Sequence, residues 1–223
     1  MNNHAIILPL KETFSTSSAG AVSIWVKDYL KHTLFKKKIY IFTQQTKEKL
    51  ITKKNVFQIK INKKIFSNST YIQKVLNEVE KNNITSLEIH NRPYLVKEIT
   101  RENQFPISLF FHNDPRTMKG SKSIKERKYI LEKCAAIFCV SEFIKKKFLE
   151  GISVNLQKVH VLYNGVEKKL KKFPIKKKEI LFVGRLVIEK GVHFYVDAIK
   201  GLAHKYPEWS FGLIGSFKLG DNK

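Results

Sequence analysis

The sequence predicts an α/β protein built on an open, mostly parallel sheet, with one complete layered domain and the opening of a second. Three observations carry this. Short apolar runs alternate with longer stretches of helical periodicity. Several of the runs are apolar on both faces, as parallel strands covered by helices are. A lysine-rich stretch around Pro174 interrupts the alternation, which then starts afresh.

In chain order, strands are expected at His4–Leu10, Lys38–Thr43, Val56–Ile61, Ser86–His90, Ile107–His112, Ala136–Ser141 and Lys158–Tyr163. Helices are expected between them. Ala21–Leu30 brings Ala21, Ile24, Trp25, Asp28 and Tyr29 together at helical spacing, and Tyr71–Lys81 does the same with Ile72, Val75, Leu76 and Val79. Glu142–Leu149 adds Phe143, Ile144 and Phe148, with Ser141 as its N-cap. Asn164-Gly165 reads as a turn needing a permissive glycine. Residues 1–170 then form the first domain and 171–178 a linker carrying Lys171, Lys172, Lys176, Lys177 and Lys178. A second βαβ begins in 179–223, with a strand at Glu179–Val183, a helix from about Gly191 to Lys205 and a strand at Trp209–Ile214. Two strands and one helix do not close a doubly wound domain, so this second domain is expected to be incomplete.

Among 223 residues, Lys and Arg number 42 and Asp and Glu 19, a formal net charge of +23. Only five of the cations are Arg, and lysine suits diffuse attraction to anions better than the reading of base edges. With 43% hydrophobic residues a core is available and wholesale disorder is excluded. Cys134 and Cys139 form no CxxC pair and read as buried thiols in a reducing compartment. No apolar run is long enough to span a membrane, and Met1–Leu10 lacks the basic segment of a signal peptide. The expected location is the cytoplasm.

Ligands of open α/β sheets bind beyond the carboxyl ends of the strands. Three groups of residues fall there. Small residues at Thr16–Ala21, with Gly20, precede the first helix and allow backbone to approach an anion, although the segment is not G-x-G-x-x-G; a plain tight turn is the competing reading. Glu88, His90, Asn91 and Arg92 follow the fourth strand, and His112, Asn113, Asp114 and Arg116 the fifth. These suit sugar or acceptor binding, or local loop capping; their spacing offers no zinc pattern. In the second domain Gly184-Arg185 and Glu189-Lys190-Gly191 put two cations beside a strand end and a helix start, where they can clamp a diphosphate without being a P-loop.

The segments ILFVGRLVIEKGVHFYVDAIKGL (Ile180–Leu202), VLYNGVE (Val161–Glu167), CVSEFIKKKFLE (Cys139–Glu150) and SSAGAVSIWVKDYLK (Ser17–Lys31) resemble the retaining glycosyltransferases of GT-B fold, family 4. The family includes transferases of lipopolysaccharide and capsule assembly. The resemblance implies a GT-B-type, Rossmann-like N-terminal domain that holds the acceptor, and the first βαβ portion of a second Rossmann-like domain that holds a nucleotide-sugar. It assigns catalytic positions to His112, Arg185 and Lys190. Gly20, Gly184, Arg185 and Lys190 fall to donor phosphate or sugar, and His90, Asn91, Arg92, Asn113 and Asp114 to the acceptor side. The donor is a substrate; no metal or other cofactor is implied. One departure is Ala19 in place of the first of two glycines.

The resemblance also places a donor-binding stretch with two glutamates beyond residue 223. The expectation is therefore that this chain by itself has little or no transferase activity. A non-catalytic remnant or acceptor-binding module is the second reading. A basic nucleic-acid-binding protein is a third and weaker one, because no helix-turn-helix, zinc-finger or RNP pattern is present. On the leading reading the partners are a nucleotide-sugar and a glycan or lipid-linked acceptor, with peripheral attraction to the anionic cytoplasmic face of the inner membrane.

Overall fold

Strands whose two faces are both apolar need cover on both sides, and the chain supplies it by winding helices between parallel strands. A computed structural model describes residues 2–10, 12–17, 19–60, 68–101, 104–167 and 174–216. They form two compact units, Met1–Gly165 and Val166–Lys223. The domain boundary expected at residue 170 and the start of the linker lie outside the described residues.

The first unit runs β1 (Asn3–Ile7), α1 (Ala21–His32), β2 (Ile39–Gln44), β3 (Val56–Ile59), α2 (Asn68–Lys81), β4 (Ile84–His90), α3 (Tyr94–Ile99), β5 (Ile107–Phe111), α4 (Ile124–Lys133), β6 (Ala136–Cys139), α5 (Glu142–Leu149) and β7 (Val159–Val161). The sheet order is β3-β2-β1-β4-β5-β6-β7, parallel throughout. Ile7 of β1 stands beside Phe42 of β2 on one side and Ile89 of β4 on the other. The winding direction reverses between β1 and β4, so their carboxyl ends flank a switch-point crevice. β1 ends at Ile7, short of the expected Leu10, because Pro9 has no N–H to extend the ladder.

The two faces of the sheet are covered differently. On one, α2, α3, α4 and α5 pack Val75, Val96, Ile130 and Phe148 against Leu87, Ile89, Leu109 and Phe111, all essentially dry. On the other, α1 lays Val22, Val26 and Leu30 over Ile6 of β1, Leu8 just beyond it, and Ile39 and Ile41 of β2. This α1 face differs from the expected one: Ile24 is half exposed while Val22, Ser23, Val26 and Leu30 are buried. Trp25 and Tyr29 lie at the margin of that packing. Phe143 of α5 likewise turns out to solvent, leaving Ile144 and Phe148 inside. Ser141 does cap α5, its Oγ accepting from the Ile144 N–H at 3.2 Å. Gly165 has no positive φ and Leu162–Glu167 is irregular and largely exposed, so the turn expected at Asn164-Gly165 is not formed.

The second unit is a single βαβ: β8 (Glu179–Val183), α6 (Val192–Ala203) and β9 (Ser210–Ile214), with β8 and β9 parallel. Tyr195 of α6 ties the strands together, its hydroxyl meeting the carbonyls of Ile180 at 2.9 Å and Gly212 at 3.0 Å. Gly191, at φ 76°, takes the left-handed conformation that turns the chain into α6. No residue of β8, α6 or β9 is buried.

Candidate functional site

Strand alternation sends Ser86, Glu88 and His90 of β4 to the α1 side of the sheet, where Trp25 of α1 lies against His90. Polar groups there need partners, and they find them in one another. Glu88 is buried, and its two carboxylate oxygens are held from opposite sides. Oε2 lies 3.2 Å from His4 Nε2, and Oε1 lies 2.7 Å from His90 Nε2. His4 continues through Nδ1 to Ser86 Oγ at 2.8 Å. His90 continues through Nδ1 to His112 Nε2 at 2.9 Å. The result is an unbroken chain from His4 through Glu88 and His90 to His112. Burial by itself would raise the Glu88 carboxyl, but the hydrogen bonds from His4 and His90 outweigh it and bring the pKa down to about 2. Burial lowers His112 to about 4, against a smaller opposing pull from Glu88.

Aromatic rings close over this chain. His90 stacks on Phe110 at 4.7 Å, and Trp25 of α1 stands 5.1 Å from His90 and 6.1 Å from His112, centroid to centroid. Asn91, in the left-handed region at φ 50°, accepts the His112 N–H with Oδ1 at 2.8 Å. Its own N–H goes to the Phe110 carbonyl. The ends of β4 and β5 are thereby clamped and His112 is fixed in backbone as well as side chain.

The other expected site residues are used differently. Arg92 donates to the Asn91 carbonyl at 2.8 Å. Asp114 caps the short turn Pro115–Thr117 and receives Arg116 on both carboxylate oxygens, while Arg116 also reaches Glu150 at 2.7 Å. These bonds are the loop capping that the sequence left open for Asp114. Asn113 is exposed. Gly20 stands at the start of α1, where the helix leaves unpaired amides. There the Glu12 carboxylate, from the preceding loop, accepts from the Ser23 N–H and hydroxyl, each at 3.3 Å. A Cβ at Gly20 would overlap that carboxylate. In the second unit Gly184, Arg185 and Lys190 lie together on the β8–α6 connection, with both cationic side chains exposed and in no ion pair among the described residues.

His90 is fully buried, with both ring nitrogens committed within the protein, so it reaches a ligand only through His112. Three contributors lay outside the residues singled out from sequence: His4, Trp25 and Glu12. Glu88, grouped from sequence with His90, Asn91 and Arg92, is the buried carboxylate between His4 and His90. Among the described residues no three His, Cys, Asp or Glu side chains are grouped to hold a metal ion.

A protein-family model, Glycosyltransferase Family 4, matches residues 38–170, the span that carries β4, β5 and His112. This chain belongs to Glycosyltransferase Family 4. An uncharacterized glycosyltransferase of Methanocaldococcus jannaschii is 37% identical over 100 residues, covering 44% of this chain and 26% of the relative. Spore coat protein SA of Bacillus subtilis is 25% identical over 175 residues, covering 69% of this chain and 45% of the relative. The chain thus spans less than half the length of both. Among solved structures, Anabaena HepE in complex with UDP-glucose superposes with a TM-score of 0.64 at 13% identity, covering 98% of this chain and 62% of that one. At that identity the likeness establishes the fold alone, an architecture of the GT-B kind.

Proposed function

We propose that this chain binds a nucleotide-sugar and serves the transfer of its sugar to a glycan or lipid-linked acceptor, as a retaining GT-B enzyme of cell-surface polysaccharide or lipopolysaccharide synthesis. The observation that carries the reading is His112, held by Asn91 and His90 beside the switch point of a Family 4 sheet. In this reading His112 touches the transferred sugar. Arg185 and Lys190 meet the donor diphosphate and offset the negative charge that grows on it as the glycosidic bond breaks. Gly184 keeps the backbone close to the phosphates. Gly20 takes the same part at the start of α1 once the Glu12 carboxylate moves aside, because two anions do not share one helix terminus. Arg92 and Asn113 face the acceptor.

Titration of the purified chain with UDP-glucose and with UDP tests this. Binding is expected to weaken at least ~10-fold when Arg185 and Lys190 are both replaced by Ala, the loss of two charge-assisted contacts. Binding that ignores both substitutions, or no binding of any nucleotide-sugar in a panel, overturns the proposal.

A second reading, an acceptor-binding module without turnover, is favoured by the contrast between a dry core in the first unit and no buried residue in the elements of the second. A chain that binds acceptor but neither binds nor consumes a nucleotide-sugar would support it. The +23 charge suits contact with the anionic cytoplasmic face of the inner membrane. No helix among the described residues is long and apolar enough to cross a membrane. Flotation with vesicles is expected to require anionic lipid and to be lost in high salt; flotation indifferent to both rejects the contact.

A further inference from the structure

A proton on a histidine ring is assigned by its hydrogen bonds, and the chain His4–Glu88–His90–His112 contains enough of them to assign every ring proton between Glu88 and His112. An ionised carboxylate only accepts, so His90 carries a proton on Nε2 where it meets Glu88 Oε1 at 2.7 Å. His90 has no exposed surface, lies against Phe110 and Trp25, and shares Glu88 with His4. A second proton on His90 would put a cation in that aromatic enclosure opposite a carboxylate already in use, so the ring is neutral and its Nδ1 accepts. The donor to Nδ1 is then the Nε2–H of His112, 2.9 Å away. His112 is left with Nδ1 as a bare lone pair, which no group among the described residues engages.

We infer that Glu88 and His90 are positioning residues that hold His112 in its Nε2–H tautomer and so present Nδ1 as a hydrogen-bond acceptor for a sugar hydroxyl. The choice of ligand rests on the glycosyltransferase reading; the tautomer does not. A neutral ring with a lone pair outward accepts from a hydroxyl and has no proton to offer a departing phosphate oxygen. His112 on this account orients the sugar, and it does not act as the acid for the leaving group. The low pKa of His112 agrees, since the ring stays neutral across the physiological range.

The arrangement parallels the way a buried carboxylate sets a histidine tautomer in hydrolytic triads, with one more ring inserted between carboxylate and working histidine. His4 completes it from β1. It takes the second Glu88 oxygen, so that the carboxylate is satisfied on both sides and does not swing away from His90.

The test is the long-range proton–nitrogen spectrum of the histidine rings in the ligand-free chain, where donor binding plays no part. The expected result is a single Nε2–H tautomer for His112. An Nδ1–H tautomer, or fast averaging between the two, overturns the inference. In His90→Phe the ring still fills the space between Phe110 and Trp25 while both nitrogens are lost. His112 should then average between tautomers, because nothing is left to accept from its Nε2–H. An unchanged tautomer in a folded His90→Phe chain overturns the inference. If that variant does not fold, the wild-type spectrum alone still decides it. In a chain that binds UDP-glucose, ligand should shift His112 Nδ1 far more than His90 Nε2; the reverse order overturns the sugar-hydroxyl assignment while leaving the tautomer measured independently.

Discussion

At the scale of single residues, the buried chain that ends at His112 makes stability depend on acid. His112 is held at about 4 by burial, below the 6.5 of a histidine in the unfolded chain. Between those values the unfolded chain binds a proton that the folded one does not, so stability falls as pH drops from 6.5 to 4 and levels off below. Glu88, brought to about 2 from 4.5 by its two histidine partners, adds a second loss between pH 4.5 and 2. Urea unfolding of the wild type and of His112→Gln between pH 7 and 4 isolates the first limb. The wild type should lose roughly 2 kcal/mol more than the variant over that window, allowing for the ring's partial exposure. Equal losses would mean that His112 titrates normally. Most of this site lay open to sequence reasoning as positions and not as roles. His90, Asn91, His112 and Asp114 are all near strand ends, where polar residues suggest ligands. Asp114 instead caps its own turn, and His90 works from behind His112. Which of two adjacent polar residues faces inward is decided by pairing across β4 and β5, and such long-range pairing leaves no local mark.

At the scale of elements, all nine strands expected from apolar runs are present, with ends displaced by three residues or fewer. Two helices, α3 and α4, were not anticipated. α3 is only six residues long, and α4 is polar in composition and fixed by polar means. Ser123 and Glu126 form a reciprocal capping box at its start, a serine-x-x-glutamate signal legible in the sequence. Arg127, though buried, gives its guanidinium to the carbonyls of Phe148, Ser121, Lys122 and Glu150, closing the end of α5 and the turn before α4. At the other end Lys158 reaches the carbonyls of Leu131 and Cys134, both at 2.9 Å, where the helix dipole favours a cation. A buried Arg and a structural Lys do not advertise themselves among so many surface cations. Arg127→Lys keeps the charge but lacks the planar fork, and should cost about 2–3 kcal/mol in denaturant unfolding by leaving buried carbonyls unpaired. Lys158→Met should cost about 1–2 kcal/mol. Losses under about 0.5 kcal/mol in either variant would show that water replaces these donors freely.

At the scale of the whole molecule, cohesion is divided unequally between the two units. The first has seven strands with helices packed on both faces and side chains such as Phe42, Phe111 and Phe148 fully dry. The second has two strands and one helix, and large apolar residues remain exposed in it: Val183 at 71%, Ile188 at 79% and Phe194 at 71%. Burial of apolar surface is the main favourable term in folding, so a unit without it opens at little cost. The surplus of positive charge works in the same direction, because like charges repel most where nothing else holds the chain together. Native-state hydrogen exchange should therefore be graded by unit. Backbone amides of β1, β4 and β5 should open only with global unfolding, at about 5 kcal/mol or more. Those of β8 and β9 should open at about 0–2 kcal/mol, and so exchange at least ~100-fold faster after correction for sequence. Tyr195 supplies the internal control: its hydroxyl reaches one carbonyl of β8 and one of β9. Tyr195→Phe should speed exchange in β8 and β9 further and leave β4 and β5 unchanged. Exchange at one common rate in all strands, slowed or hastened together by Tyr195→Phe, would mean that the two units unfold as a single cooperative body.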